Sequence, residues 1–123
     1  EIENLPYNWE YWQKLSEADI LCMTRVDSPY SNSGFPFKLG EYLATKKPVL
    51  ATDTTDVKSY LVDMEDCVMA KPSDEDSLIK GILYLIDNPD FRLKIGINGY
   101  KKCLEFFNPS VNGKILLNFL KSI

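Results

Sequence analysis

Three short apolar runs punctuate the chain: ADILCMT (18–24), PVLAT (48–52) and CVMAK (67–71). Each is too short for a helix and apolar throughout, the pattern of a strand buried on both faces. Around them the period changes to that of helices. NWEYWQKLSEA precedes the first run, and helical patterns over 36–46 and about 55–62 fill the two gaps. Strands alternating with helices predict βαβ units with right-handed crossovers. The fold class is therefore α/β, a Rossmann-like parallel sheet flanked by helices.

Beyond the third run the chain turns helical. In PSDEDSLIKGILYLIDN, Ser73 is the expected N-cap, with Asp76 three residues on and acids in the first turn that suit the helix dipole. Leu78, Ile82, Leu85 and Ile86 recur at helical spacing. Pro89 opens another helix, to about Phe107, with Leu93, Ile97, Tyr100 and Leu104 on one face. NPSVNGKILLNFLKSI is a last short helix. Met23 and Met69 fall in strands and read as core. No repeat, low-complexity segment or long linker interrupts the chain, so residues 1–123 read as a single domain.

Composition narrows the chemistry. Net charge is −4 and no basic run occurs, so no face suits a phosphate backbone and nucleic acid is not an expected partner. There is no histidine, which removes the commonest general base and zinc ligand. Cys22, Cys67 and Cys103 are far apart and form no C-x-x-C pair, which excludes a metal site and a disulfide framework. They read as reduced, buried thiols of a cytoplasmic protein. No apolar run nears the roughly 20 residues of a membrane span, and no signal peptide is visible. The opening EIENLPYNWE reads like the middle of a longer protein.

One stretch gathers candidate chemistry: SNSGFPFKLGEYLATKKPVLATD (31–53). In parallel α/β sheets ligands bind beyond the carboxyl ends of the strands, where loops enter helices. TRVDSPYSNSGF (24–35) is such a loop, long for its kind. Ser31, Asn32, Ser33 and Gly34 are small, Pro36 is expected at the first helical position, and the helix start offers N–H groups and partial positive charge to a phosphate. A plain polar surface loop is the other reading. Glu41, one turn further in, could hold a diol such as a ribose or pair with Lys38 on a solvated face. Gly40 costs a helix roughly 1 kcal/mol relative to Ala and lets a backbone or ligand come close. Asp53 and Asp56 end the second strand where Thr54, Thr55 or Asp56 would cap a helix. Tyr7 and Trp9 could stack on a base or anchor the core, and the Tyr11/Trp12 pair reads as packing.

ADILCMTRVDSPYSNSGFPFKLGEYLATKKPVLATDTTDVKSYLVDMEDCVMAKPSDEDSLIKGI resembles the C-terminal, nucleotide-sugar-binding half of GT-B glycosyltransferases of the retaining family 4 type. FPFKLGEYLATKKPVLATD is similar to a variant reading F-P-x-K-x-x-E-Y-L-A. NPDFRLKIGINGYKKCLEFFNPS is similar to the family's closing segment. The likeness covers about residues 5 to 120.

The resemblance carries expectations. Of the family's two glutamates, eight positions apart, the second binds ribose hydroxyls and matches Glu41, while the first contacts the sugar and falls on Ser33. Backbone amides of Gly34 to Phe37 would lie near the sugar and pyrophosphate, with Phe35, Pro36 and Lys38 counted among the donor-binding residues. Tyr7 and Asn8 would lie near the base. No residue is assigned a catalytic role.

The substrate would be a UDP- or GDP-sugar, with no metal or other cofactor. The chain would be an N-terminally truncated donor domain lacking the acceptor domain and inactive alone, with an unpaired sheet edge open to self-association. Its longer parent would transfer a hexosyl group, with retention, to a glycan or lipid-linked acceptor in polysaccharide biosynthesis. The expected place is cytoplasmic, with the parent peripheral to the inner membrane. A receiver-like α/β signalling module is the alternative, with Asp27 or Asp53 as phosphorylation site, although no acid pair precedes them. A nucleotide-sugar epimerase would bring a histidine and a Gly-rich loop, and neither is present.

Overall fold

The computed structural model describes residues 8–123. Helix α1 (Trp9–Glu17) opens at Asn8, whose side chain accepts a hydrogen bond from the Glu10 amide at 3.0 Å. Strands β1 (Leu21–Met23), β2 (Val49–Thr52) and β3 (Val68–Ala70) form one parallel sheet in the order β1-β2-β3, with Cys22 opposite Leu50 and Leu50 opposite Val68. Helices α2 (Pro29–Ser33) and α3 (Phe37–Ala44) connect the first two strands, and α4 (Thr55–Tyr60) the next two. Then come α5 (Glu75–Asp87), α6 (Pro89–Phe106) and α7 (Pro109–Lys121). The expected α/β architecture holds, each strand a little shorter than its apolar run.

Alternation along β2 builds two cores. Val49 and Ala51 face one way, onto Leu39 and Leu43 of α3, Val57 of α4, Leu61 and Cys67. Leu50 faces the other way, with Val68 and Ala70, onto Leu85 of α5 and Ile95 of α6. All four residues of β2 are buried. On β1, Leu21 and Met23 are buried but Cys22 between them, whose side chain points to the opposite face of the sheet, is exposed. The expectation of three buried thiols is corrected accordingly: Cys67 is buried, Cys103 half-buried and Cys22 exposed. Of the two methionines read as core, Met23 is buried and Met69 partly so.

Helix α6 corrects a second expectation. Leu93, Ile97 and Leu104 are exposed, and the buried stripe is Ile95, Gly96 and Gly99. Glycine chooses the face here. A Cβ on Gly96 would lie 2.3 Å from the Lys46 carbonyl oxygen, and one on Gly99 would lie 2.8 Å from that of Asp66. Helix α6 thus packs its backbone directly onto the turn after α3 and onto the segment before β3. On α5, Leu85 is buried, Leu78 and Ile82 partly so, and Ile86 exposed.

Caps move by a residue in two places. Asp74, not Ser73, caps α5 and accepts from the Ser77 amide at 2.8 Å, while Ser73 adopts a left-handed φ of 58°. Pro36 is the N-cap of α3 rather than its first helical residue. The Asp53 carboxylate pairs with Lys58 at 2.9 Å at the foot of α4, and Thr54 makes no side-chain cap bond. Neither α1 nor α7 has a buried residue.

Candidate functional site

The carboxyl end of β1 opens into residues 24–36. This segment is not an open loop, because Ser28 caps the short helix α2, accepting from the Ser31 amide at 3.1 Å, with Pro29 in its first turn. Arg25 ties the segment down at both ends. Its backbone N–H donates to Thr52 Oγ1 at 2.8 Å, and its Nη1 donates to the carbonyls of Ser31 at 3.0 Å and Gly34 at 2.7 Å.

The chain then enters α3 at Phe37 with no side-chain cap bond. The first-turn N–H groups of a helix lack intrahelical partners and carry partial positive charge. Two of them are already committed: the Phe37 amide donates to the Phe35 carbonyl at 3.0 Å and the Leu39 amide to the Pro36 carbonyl at 2.8 Å. Thr24, Arg25, Pro36, Phe37, Lys38 and Tyr42 line a cleft of about 460 Å³ in front of this helix start. Two of its lining residues, Arg25 and Lys38, are cationic. Burial, with the Glu41 carboxylate and Cys22 adding to it, holds the Tyr42 phenol above its usual pKa.

Glu41 is half-buried on the next turn. The partner that the described residues supply is Tyr11 of α1, whose hydroxyl donates to Glu41 Oε2 at 2.5 Å, and not Lys38. Gly40 beside it makes room for a protein side chain: a Cβ there would meet the Phe107 ring at 3.2 Å. A second cavity, of about 1050 Å³, runs behind α3 between Glu41, Trp12, Tyr60 and Phe107. Its wall is a cluster in which Phe35 lies 5.9 Å from Tyr60 and 6.0 Å from Phe107.

Among the sequence-predicted residues, Pro36 and Lys38 line the cleft at the α3 start, Glu41 lines the second cavity instead, and Gly34 is held against Arg25. Phe35 belongs to the aromatic cluster, and Phe37 is 80% exposed. Ser33 ends α2, exposed, with its hydroxyl donating to the Pro29 carbonyl at 2.7 Å. Asn8 caps α1. Tyr7 lies outside the described residues, and Trp9 is 77% exposed. Sequence reasoning missed Arg25 and the role of Tyr11. The signal for Arg25 was a lone cation directly after a strand, in CMTRVD.

A family model described as "Glycosyl transferases group 1" matches residues 2–102. The chain belongs to the group 1 glycosyltransferases. Solved structures agree on the fold. HepE from Anabaena, solved in complex with UDP-glucose, superposes with a TM-score of 0.80 at 16% identity, covering 90% of this chain and 29% of that one. Sucrose-phosphate synthase from Thermosynechococcus elongatus gives 0.73 at 18% identity, covering 89% and 27%. The C-terminal domain of LpcC, a group 1 family protein from Francisella tularensis, gives 0.71 at 21% identity, covering 87% and 53%. No curated protein is similar enough in sequence to count as a relative.

This group 1 glycosyltransferase chain therefore has the fold of the C-terminal half of a GT-B enzyme, and it spans about 29% of the length of HepE. The receiver-like alternative is not favoured by these matches. Among the described residues no helix of the glycosyltransferase domain is long and apolar enough to cross a membrane.

Proposed function

We propose that residues 1–123 form one domain that binds the nucleotide-sugar donor of a retaining, family 4 type glycosyltransferase. Its longer parent moves a hexosyl group to a glycan or lipid-linked acceptor, serving polysaccharide biosynthesis. The observation that carries this reading is Glu41: a half-buried carboxylate one turn inside α3, held by the Tyr11 hydroxyl at 2.5 Å, behind a helix start with no side-chain cap. Such a carboxylate accepts hydrogen bonds from a ribose diol, and the α3 start faces the diphosphate. UDP-bound HepE, with the same fold, supports UDP as the first nucleotide to try.

In this reading Glu41 takes the ribose. Gly34, Phe35, Pro36 and Lys38 border the sugar and diphosphate, Ser33 stands where the family has its sugar-contacting acid, and Tyr7 and Asn8 lie toward the base. Binding needs no metal. The 123-residue chain alone transfers no sugar, the acceptor domain belonging to the longer parent, which works in the cytoplasm against the inner membrane. The open edge of β1 pairs with a second copy, which sedimentation over a concentration series tests.

Ligand-detected NMR of the chain against UDP, GDP and ADP tests the donor site, with Glu41→Ala as control. One nucleotide binds and the variant loses it. Absence of binding in both this chain and its full-length parent would sink the reading.

A further inference from the structure

We propose that Arg25 is a positioning residue for the anionic part of the donor, holding the Ser31–Gly34 turn in the shape that receives the diphosphate. The inference rests on the donor-binding reading above and deepens it. Arg25 is fixed at both ends. Its main chain is anchored to the sheet through the buried Thr52 hydroxyl at 2.8 Å. Its side chain turns the other way, where one nitrogen, Nη1, gathers the Ser31 and Gly34 carbonyls at 3.0 and 2.7 Å. These carbonyls belong to the last turn of α2 and to its C-cap, just before the chain enters α3. The guanidinium also lies against Gly34: a Cβ there would sit 3.6 Å from Nη2 and 3.4 Å from the Tyr30 carbonyl oxygen.

Two effects on a bound anion follow. Carbonyl oxygens repel phosphate, and a cation engaging their lone pairs lowers the negative potential they present. Arg25 is also among the residues that line the cleft in front of the α3 start, beside Lys38. A lysine at this place would keep the charge, but its ammonium sits on a shorter, flexible stem and lacks the planar fork. The geometry of the side chain, beyond its charge, is what the role requires.

The test uses the isotope-labelled 123-residue chain, with UDP, inorganic pyrophosphate and uridine as probes. In the wild type, the Arg25 Nη protons are expected to rotate slowly in the free chain. Arg25→Lys and Arg25→Gln are expected to weaken UDP and pyrophosphate each by about tenfold. Uridine, which carries no phosphate, should keep its midpoint on the Tyr11 and Glu41 signals, a split that a general loss of shape would not produce. Variants that bind pyrophosphate like the wild type overturn the proposal, as does an equal loss for uridine. If neither variant folds, a freely rotating Arg25 guanidinium in the wild type overturns it and a hindered one supports it. A wild type that binds UDP while Arg25 proves dispensable leaves the donor site standing and removes only this role. A wild type that takes neither a nucleotide nor pyrophosphate overturns both.

Discussion

The Tyr11 hydroxyl donates to the Glu41 carboxylate at 2.5 Å across 30 residues of chain. The bond joins α1, which buries no side chain of its own, to α3, whose Leu39 and Leu43 reach the core. Helix α1 is therefore held in part through a polar contact, beside side chains such as Trp12 and Leu15 that are only partly buried. Tyr11→Phe should destabilise the chain by about 1 kcal/mol, as expected for a partly solvated bond to a charged acceptor. A double-mutant cycle with Glu41→Gln, read by urea unfolding, should return a coupling of about 1 kcal/mol. Strict additivity would mean the two side chains do not interact in solution.

Two glycines in helices should respond with opposite signs. Gly96→Ala pushes a methyl group into the Lys46 backbone, where the oxygen would be 2.3 Å away. A loss of roughly 2–3 kcal/mol is expected, since neither backbone can give way cheaply. Gly113 lies in the exposed helix α7, and a methyl group there would meet nothing within 4 Å. Gly113→Ala should gain roughly 0.5–1 kcal/mol from helix propensity alone. Thermal unfolding of the two variants side by side checks both.

Burial, with the Asp63 and Asp66 carboxylates adding to it, pushes the Cys67 thiol from 9.0 up to about 12. The folded state thus prefers the neutral thiol. Its contribution to stability is complete below about pH 9 and is lost as pH rises toward 12. In that window the unfolded thiol ionises while the folded one does not. Stability should fall by about 1.4 kcal/mol per pH unit from this group. Cys67→Ala should be less stable at pH 7 and show a shallower alkaline slope.

Thiol accessibility gives an independent reading of the β1 edge. Cys22 is exposed and Cys67 buried. In native chain a thiol reagent should modify Cys22 first and leave Cys67 untouched until urea unfolds the sheet. Mass spectrometry of partially labelled protein separates the sites, and early modification of Cys67 would contradict its place in the core.

If the donor site works as proposed, chelation should not disturb it. UDP affinity measured by NMR titration should be unchanged when EDTA is added. A loss of affinity restored by Mg²⁺ would show that the diphosphate is carried in as a metal complex.

The strands and most helices were legible because local pattern decides them. Val49 to Thr52 are apolar or β-branched and become the fully buried central strand. The face of α6 was not legible. Large apolar residues at helical spacing pointed to Leu93 and Ile97, whereas the helix buries Gly96 and Gly99, whose value lies in what they lack. The position of Glu41 could be read from its spacing after Pro36. Its partner could not, because Tyr11 is brought to it only by tertiary packing, and Tyr11 beside Trp12 looks like ordinary apolar filling. Arg25 stayed hidden for a related reason: its acceptors are backbone carbonyls, which every residue has.

Helix α6 rests on the Lys46 carbonyl through Gly96. On the ribosome this separates the making of α3 from its settling. Residues 37–44 are synthesised before the surface they lean on, which arrives only when residue 96 has left the exit tunnel. Until then the segment carrying Glu41 lacks its support, and this side of the domain settles from its C-terminal third backward.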